Sequence, residues 1–228
     1  MKNAVRRVPD SEEGVALLVT LFAMLVMSAI GSALILTTIS ETLIAGNARG
    51  AQDAFHAANA ALERAMADLA ETGDWNQVLN GAVPSTLVDG MPTGTRTLGS
   101  GTVVDLEQQV NLANCGKAAG CSDTDMDVTT ATRPWGANNP RWKAYAYAPL
   151  ASVLPGAASG FYALVLVGDD PAETDGNPMA DALSAGSPGH GVVVIRGLAF
   201  GPRGARCTVQ LTVARAGPSI RVTGWALL

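Results

Sequence analysis

Near its N-terminus the chain changes abruptly from polar to apolar. The 26 residues from Val15 to Ser40 carry no charged side chain, and only hydroxyl groups and Gly31 interrupt their apolar character. A helix rises about 1.5 Å per residue, so this run spans about 39 Å and exceeds the roughly 30 Å hydrocarbon core of a bilayer. The pattern predicts a membrane-spanning helix over residues 15–40, behind a polar leader, residues 1–14.

The helical pattern continues beyond the apolar run with one apolar stripe. Residues 41–72 are rich in alanine, and no proline occurs between Pro9 and Pro84. Spacings of three and four place the following residues on one face: Phe55, Ala58, Leu62, Ala65 and Leu69. We therefore predict a single long helix that is apolar all round in residues 15–40 and amphipathic in residues 41–72. Gly73 is its predicted C-terminal cap.

Residues 73–228 have the pattern of an antiparallel sheet domain. Glycine and proline are frequent in residues 74–101, and strand-like runs follow at Thr102–Val110, Trp142–Ala148, Phe161–Val167, Gly191–Phe200, Arg206–Arg215 and Ile220–Leu228. Alternation is clearest in the fifth run, where Cys207, Val209, Leu211 and Val213 share one face, which predicts a strand with one face in water. The fold class is α+β, with the stripe of the long helix packed on the sheet.

The distribution of charge excludes one class of partner. The formal net charge is −5, and in the leader the basic Lys2, Arg6 and Arg7 equal the acidic residues in number, so the net negative charge lies after Gly14. An acidic domain is a poor electrostatic match for nucleic acid. Aromatic residues alternate with others in Trp142–Ala148 as in an ordinary strand. We expect no nucleic-acid partner.

Two simpler interpretations of the apolar run concern targeting alone. A cleaved secretory signal has an apolar core of at most about 15 residues, which is shorter than this run. An uncleaved signal anchor fits the length. Basic residues resist translocation, so Lys2, Arg6 and Arg7 favour a cytoplasmic N-terminus and place residues 41–228 outside the cytoplasm.

A basic leader that ends in glycine directly before a long apolar helix resembles the signal of type IV prepilins. In that family a prepilin peptidase cuts after the glycine and methylates the new N-terminus. The resemblance implies cleavage between Gly14 and Val15 and an N-methylated Val15. A helix that is apolar on all sides suits both lipid and the dry core of a filament. Val15 departs from the usual first mature residue, which is Phe or Met.

A second departure concerns the fifth mature position, where most pilins carry glutamate and this chain has Val19. That glutamate is thought to pair with the N-terminal amine of a neighbour, which satisfies two buried charges. Among pilins and type II secretion pseudopilins, its loss is associated with minor components at the filament tip. The runs Ser40–Asn47 and Ala54–Leu62 further resemble the N-terminal signature of PilX-type minor pilins.

The resemblance implies a function in filament assembly. The expected protein is a PilX-type minor pilin that primes or caps a type IV pilus (fimbrium) near its tip and contributes to cell adhesion. Its implied partners are major and minor pilins, prepilin peptidase, the inner-membrane assembly platform and a tip adhesin. Expected locations are the inner membrane as a single-pass protein, then the pilus at the cell surface. A type II secretion pseudopilin and a signal-anchored periplasmic binding module remain as alternatives.

Two features of the domain suggest local chemistry. Cys115 and Cys121 enclose five residues in a segment expected to be exported, which favours a disulfide loop. We expect Cys207 to be a buried thiol. Oxygen ligands that could hold calcium are concentrated at Asp169, Asp170, Glu173, Asp175 and Asn177. A solvated acidic loop explains the same residues, because the spacing does not fit an EF-hand.

The sequence favours no enzymatic activity. It contains two histidines, His56 on the polar side of the long helix and His190 in a glycine-rich turn. Ser187 lies close to His190 in sequence, but neither a nucleophile-elbow motif nor an orienting acid accompanies the pair. We expect neither catalysis nor a cofactor other than calcium.

Overall fold

The computed structural model describes residues 12–153, 160–173, 175–181 and 189–228. It divides into two compact units, one that ends at Ala48 and one that comprises Arg49–Leu228. Helix α1 runs from Glu12 to Glu71 and contributes to both units. The predicted long N-terminal helix is therefore confirmed. Residues 1–11 of the predicted leader lie outside the described residues.

The remaining elements belong to the second unit. The helices are α2 (Asn76–Leu79), α3 (Leu106–Cys115), α4 (Asp123–Met126) and α5 (Leu150–Val153). The strands are β1 (Thr95–Thr97), β2 (Val103–Asp105), β3 (Lys143–Pro149), β4 (Tyr162–Asp169), β5 (Val192–Phe200), β6 (Arg206–Ala216) and β7 (Ser219–Leu227). Strands β1 and β2 form a small antiparallel pair, and β3 to β7 form a five-stranded sheet in sequential order. All neighbours in that sheet are antiparallel, which confirms the α+β class.

One predicted strand is wrong over most of its length. Of Thr102–Val110, only Val103–Asp105 is strand, and Leu106 begins α3. The carboxylate of Asp105 accepts a hydrogen bond from the Gln108 amide at 3.0 Å and caps the new helix. Gly116 ends the helix in the left-handed conformation, at φ 72°. Because both ends are capped, Leu106–Cys115 forms a helix where the strand-like run had suggested a strand.

The central strand β5 lies against an alanine-rich face of α1. The helix residues with almost no exposed surface are Ala54, Ala57, Ala58, Ala61, Leu62, Ala65 and Leu69. A Cβ on Gly197 would lie 2.7 Å from Leu62 Cγ and 3.0 Å from the Ala58 carbonyl oxygen. The helix therefore approaches the strand more closely than any larger residue would allow. Phe55, which the predicted stripe included, is only half-buried and contacts Trp225 edge to face.

The other face of the sheet is also largely covered. Strand β4 is buried along its whole length. A second apolar core on this face includes Leu106, Trp142, Leu164, Leu166 and Leu198. The alternation predicted for β6 is confirmed, since its buried residues alternate with half-buried ones, but the face predicted to lie in water is partly covered. The sheet thus has helix α1 on one face and α3 with its neighbouring loops on the other.

The end of α1 is held by side chains from elsewhere, and the predicted glycine cap at Gly73 is wrong. The Trp75 indole donates to the Leu69 carbonyl at 3.0 Å, and Arg215 donates to the Thr72 carbonyl at 3.0 Å. The Arg215 guanidinium also lies 4.5 Å from the centre of the Trp75 ring. The carbonyl groups at the end of α1 thus receive hydrogen bonds from Arg215 of β6 and from Trp75 in the following segment. Gly73 therefore need not adopt the left-handed conformation that caps many helices.

A buried carboxylate joins α1 to the edge of the sheet. Asp68, which is 7% exposed, accepts hydrogen bonds from the Ser85 hydroxyl and from the Thr86 amide, the latter at 2.8 Å. Ser85 in turn donates its amide to the Tyr145 carbonyl of β3 at 2.9 Å. The segment after α2 therefore covers the edge strand β3, which would otherwise present unpaired backbone groups.

The close approach at Gly197 leads to a stability prediction. Gly197→Ala should lower the free energy of unfolding by about 1–3 kcal/mol, because the added methyl group overlaps Leu62. Gly99→Ala is the matched control, since a Cβ there meets no atom within 4 Å. Thermal unfolding of the purified full chain, followed by circular dichroism, measures both. Equal midpoints for the two variants would contradict this account of the helix–sheet contact.

Candidate functional site

The predicted cleavage site lies within α1. The helix begins at Glu12, so Gly14 and Val15 are both helical. A Cβ on Gly14 would meet no atom within 4 Å, and the Val15 side chain is 63% exposed. Among the described residues nothing covers the bond between them, and a peptidase would have to unwind the first turn of the helix to bind this segment in an extended form.

The first unit presents an apolar surface on every side of the helix. From Val15 to Ile44 every large apolar side chain is exposed, Val19 at 59% among them. The helix is long and apolar enough to cross a membrane, with a window of mean hydropathy 2.3 of which no residue is buried. Such a surface needs an apolar environment, because water solvates it poorly.

The hydroxyl groups in the apolar run bond to the helix itself. Thr20 donates to the Leu17 carbonyl at 2.8 Å, and Ser32 donates to the Ser28 carbonyl at 2.9 Å. The hydroxyl groups of Thr37, Thr38 and Ser40 likewise donate to the backbone carbonyl four residues earlier. These polar groups therefore need no partner from water, lipid or another chain, and the segment behaves as apolar throughout.

Cys115 and Cys121 are joined by a disulfide in the structure. It links the end of α3 to the residue before Ser122, the N-cap of α4. Within the loop, Lys117 forms an ion pair with Asp125 at 2.6 Å, and Asp125 completes a capping box with Ser122. Cys207 is a free thiol, half-buried against the helix-side core.

The acidic segment after β4 divides into buried and exposed carboxylates. Asp169 is 2% exposed and Glu173 is fully buried. Burial, followed by repulsion from Glu173, raises the pKa of Asp169 to about 8. The remaining predicted ligands form local turns: Asp170 accepts from the Ala172 amide, Asp175 from the Asn177 amide and Asn177 from the Met179 amide.

The structure does not gather these residues into an evident metal centre. Among the described residues, no group of three acidic, histidine or cysteine side chains is placed to hold a metal ion. The carbonyls of Pro171 and Glu173 both accept from the Asn138 amide, at 2.7 and 2.6 Å. Calcium binding by Asp169, Asp170, Glu173, Asp175 and Asn177 stays a prediction.

Other candidate residues are distributed over the second unit. His190 lies 3.7 Å from the Asp181 carboxylate, and Ser187 falls outside the described residues. The aromatic side chains at β3 are separated: Tyr145 packs on the α1 side, while Tyr147 and Trp142, which directly precedes the strand, enter the opposite core. A bulge between Ala144 and Ala146 shifts the alternation. These buried rings form no continuous aromatic surface.

Sequence reasoning missed two arginines, Arg133, which is buried, and Arg196, which is half-buried. Arg133 is 7% exposed, and Arg196 lies beneath the layer that covers the outer face of the sheet. No local motif marks either residue. The only signal for Arg196 is its position between apolar residues in a strongly apolar strand.

Comparison of the chain with protein-family models, with curated proteins and with solved structures finds no match.

The raised pKa of Asp169 predicts a pH dependence of stability. The folded state holds a proton on this carboxyl up to about pH 8, whereas the unfolded chain releases it near pH 3.8. The unfolded state therefore binds fewer protons between these values, and the contribution of Asp169 to stability falls as pH rises through that window. Asp169→Asn should raise the unfolding midpoint at pH 8 and change it much less at pH 4.

The size of the effect should exceed about 1 kcal/mol at pH 8, since one unit of pKa shift corresponds to about 1.4 kcal/mol. Asp123→Asn is the control, because its side chain is exposed and lies outside the acidic segment. Millimolar calcium tests the metal prediction in the same assay. If calcium binds Asp169, it raises the midpoint of the parent chain at pH 8 and leaves Asp169→Asn unchanged. Parallel pH profiles for parent and Asp169→Asn would contradict the assignment.

Proposed function

We propose that this chain is a PilX-type minor pilin that assembles through α1 into a type IV pilus and primes or caps the filament near its tip. The observation that supports this most directly is the uncharged run Val15–Ser40, which begins immediately after Gly14. A segment that is apolar on all sides can leave lipid for the interior of a helical bundle without contact with water.

The second half of α1 supports the same proposal. From Ala54 onwards its alanine-rich face is buried against the sheet, and Asp68 fixes the helix to the following segment. A force on α1 would therefore be transmitted to the sheet domain. A helix used only as a membrane tether has no need of this attachment, because a flexible linker would serve.

Val19 supports a specialised position in the filament. Its side chain is exposed and apolar, so this chain offers no carboxylate at that position to a neighbour's N-terminal amine. A subunit that cannot make this charge pair from its own side is suited to a place where the pair is not required. The tip is such a place, because a terminal subunit lacks a neighbour on one side.

The proposal includes partners and a route. Prepilin peptidase processes the chain in the inner membrane, the assembly platform extracts it, and major and minor pilins receive α1 in the filament. The sheet domain is then presented at the cell surface, where it cooperates with a tip adhesin in cell adhesion. The type II secretion pseudopilin shares this mechanism in a different machine.

Mass spectrometry of the mature N-terminus tests the proposal. We expect the chain recovered from membranes to begin at Val15 and to carry one methyl group on its amine. Gly14→Phe should abolish this processing, because the peptidase requires a small residue before the cut. Gly31→Phe is the matched control: it makes the same change on the same helix at another site with open space around it.

Each alternative predicts a different mass. A signal-anchored binding module would retain Met1. A secreted protein with an ordinary signal peptide would begin at another residue and would not be methylated. Recovery of the processed chain in sheared pili, or its requirement for secretion, distinguishes the pilus from the secretion system.

Restoring the carboxylate tests the role assigned to Val19. Val19→Glu should increase the amount of this chain relative to the major subunit in sheared pili, because the new carboxylate can pair with a neighbour's amine. Val26→Glu is the control, since it places the same charge about 10 Å further along the helix, beyond reach of that amine. An unpaired charge at the helix centre costs about 3 kcal/mol on insertion scales. Equal amounts of Val19→Glu and parent in pili would contradict the assignment.

A further inference from the structure

A cavity of about 800 Å³ lies in the second unit, on the face of the sheet opposite α1. Its floor is formed by the outward-facing residues of β5 and β6, and its walls by α3 and by residues 128–133. Volumes of this size are typical of sites for small molecules. The residues that give it its chemistry are Arg133, Arg196, Arg206, Gln210, Thr208 and Leu198.

Arg196 is fixed at the floor of the cavity. It alternates along β5 with Val194 and Leu198, which belong to the outer core, so its side chain lies on the same face. Its guanidinium donates to Gln210 Oε1 at 2.7 Å and stacks 4.3 Å from the centre of the Trp142 ring. Burial and repulsion from Arg133 lower its pKa to about 10, which leaves it charged at neutral pH.

Arg133 brings a second positive charge, a buried one, to the same cavity. One of its nitrogens, Nη2, donates to the Pro140 carbonyl at 3.1 Å, while Nε and Nη1 are buried and have no hydrogen-bond partner among the described residues. Burial, together with repulsion from Arg141, lowers its pKa to about 10. Two like charges that repel in a poorly solvated place are costly unless an opposite charge joins them.

Arg206 completes the positive lining at the exposed rim. It lies above the Phe200 ring at 5.3 Å and donates to Gln109 Oε1 at 3.4 Å. The chain as a whole carries a net charge of −5, yet three arginines meet at this cavity with one aspartate, Asp125. The local potential is therefore opposite in sign to that of the whole chain.

The carboxylates near the cavity are already engaged. Asp125 forms an ion pair with Lys117, and Asp127 forms one with Arg141. Among the described residues, no ion pair includes Arg133, Arg196 or Arg206. Asp127 attracts Arg133 without forming an ion pair with it, and Asp125 lies in the lining, so the positive charge of the cavity is only partly neutralised by this part of the chain.

The walls are held in place before any ligand arrives. Asn114 at the end of α3 accepts from the Trp142 amide at 2.7 Å and donates to the Trp142 carbonyl at 3.0 Å. The Cys115–Cys121 disulfide restrains the neighbouring loop, and fully buried Asn139 donates to the Met126 carbonyl at 3.0 Å. A preformed site loses little conformational entropy on binding.

We propose that this cavity binds the carboxylate or phosphate group of a small molecule, with Arg196 and Arg206 holding the oxyanion and the buried Arg133 adding positive charge behind them. Guanidinium groups donate several hydrogen bonds to such anions. The apolar part of the lining, which includes Leu112, Val128 and Leu198, receives the body of the ligand. The site lies wholly in the second unit, so it does not depend on the role proposed for α1.

The experiment uses the full chain in nanodiscs of zwitterionic lipid and two simple probes, inorganic phosphate and acetate. Line broadening of the phosphorus signal and of the acetate methyl signal reports binding, at constant ionic strength maintained with chloride. We expect at least one anion to bind at millimolar concentration. Which of the two binds more tightly distinguishes a phosphate ligand from a carboxylate ligand.

Two variants with equal net charge decide whether the cavity is responsible. Arg206→Gln removes an exposed arginine at the rim and should weaken binding at least about tenfold, whereas Arg221→Gln, on exposed β7, should bind as the parent does. Arg133→Gln should also weaken binding, because it removes the buried positive charge behind the site. Circular dichroism checks that each variant is folded. Absence of binding by both anions, or equal loss in Arg206→Gln and Arg221→Gln, would overturn the proposal.

Discussion

The contact between α1 and Gly197 determines how the second unit is built. A Cβ at this position would lie 2.7 Å from Leu62, so the helix can settle on β5 only because the strand has no side chain there. Small residues on the helix side, such as Ala58 and Ala61, allow the same close approach. Packing energy in such a contact comes from many short atomic distances. The central strand, with β4 and β6 paired to it, is thereby fixed to the helix.

The face of the sheet opposite α1 also carries apolar residues, and these must be buried too. On β4 the outward-facing Tyr162, Leu164 and Leu166 are buried as completely as those that face α1. Trp142 packs over this surface, and a Cβ on Gly168 would lie 2.9 Å from Pro140. The outer layer is therefore also attached closely. It leaves Arg196, which a two-layer arrangement would expose to water, half-buried.

Regular periodicity made the main elements predictable. The alternation of Cys207, Val209, Leu211 and Val213 predicted β6, and the uncharged run predicted the first part of α1. The strand predicted over Leu106–Val110 failed, because Asp105 caps a helix there and a short apolar alternation cannot outweigh a good cap. The spacing of Cys115 and Cys121 suggested the bond that the structure contains.

What the sequence could not indicate depends on contacts between distant residues. Arg133 lies in an irregular segment, and its burial results from Pro140 and from the strands it covers. Arg133 and Arg196 line the same cavity although they belong to separate segments of the chain. Likewise, Asp169 resembles any other residue of an acidic loop until Glu173 and the second unit's core enclose it. Burial of a charge is a property of the tertiary structure, and local patterns do not encode it.

The stability of the first unit depends on a different interaction, that of its exposed apolar side chains with an apolar environment. Seventeen large apolar side chains between Val15 and Ile44 are exposed. Burying each contributes about 1.5–3 kcal/mol, so an apolar environment stabilises the segment by tens of kcal/mol. A single buried glutamate would change that sum by only about 3 kcal/mol. The absence of a carboxylate at Val19 is therefore too small a term to matter for anchoring. In the filament role that we propose, a carboxylate at this position matters where two chains meet and a charge must find its partner.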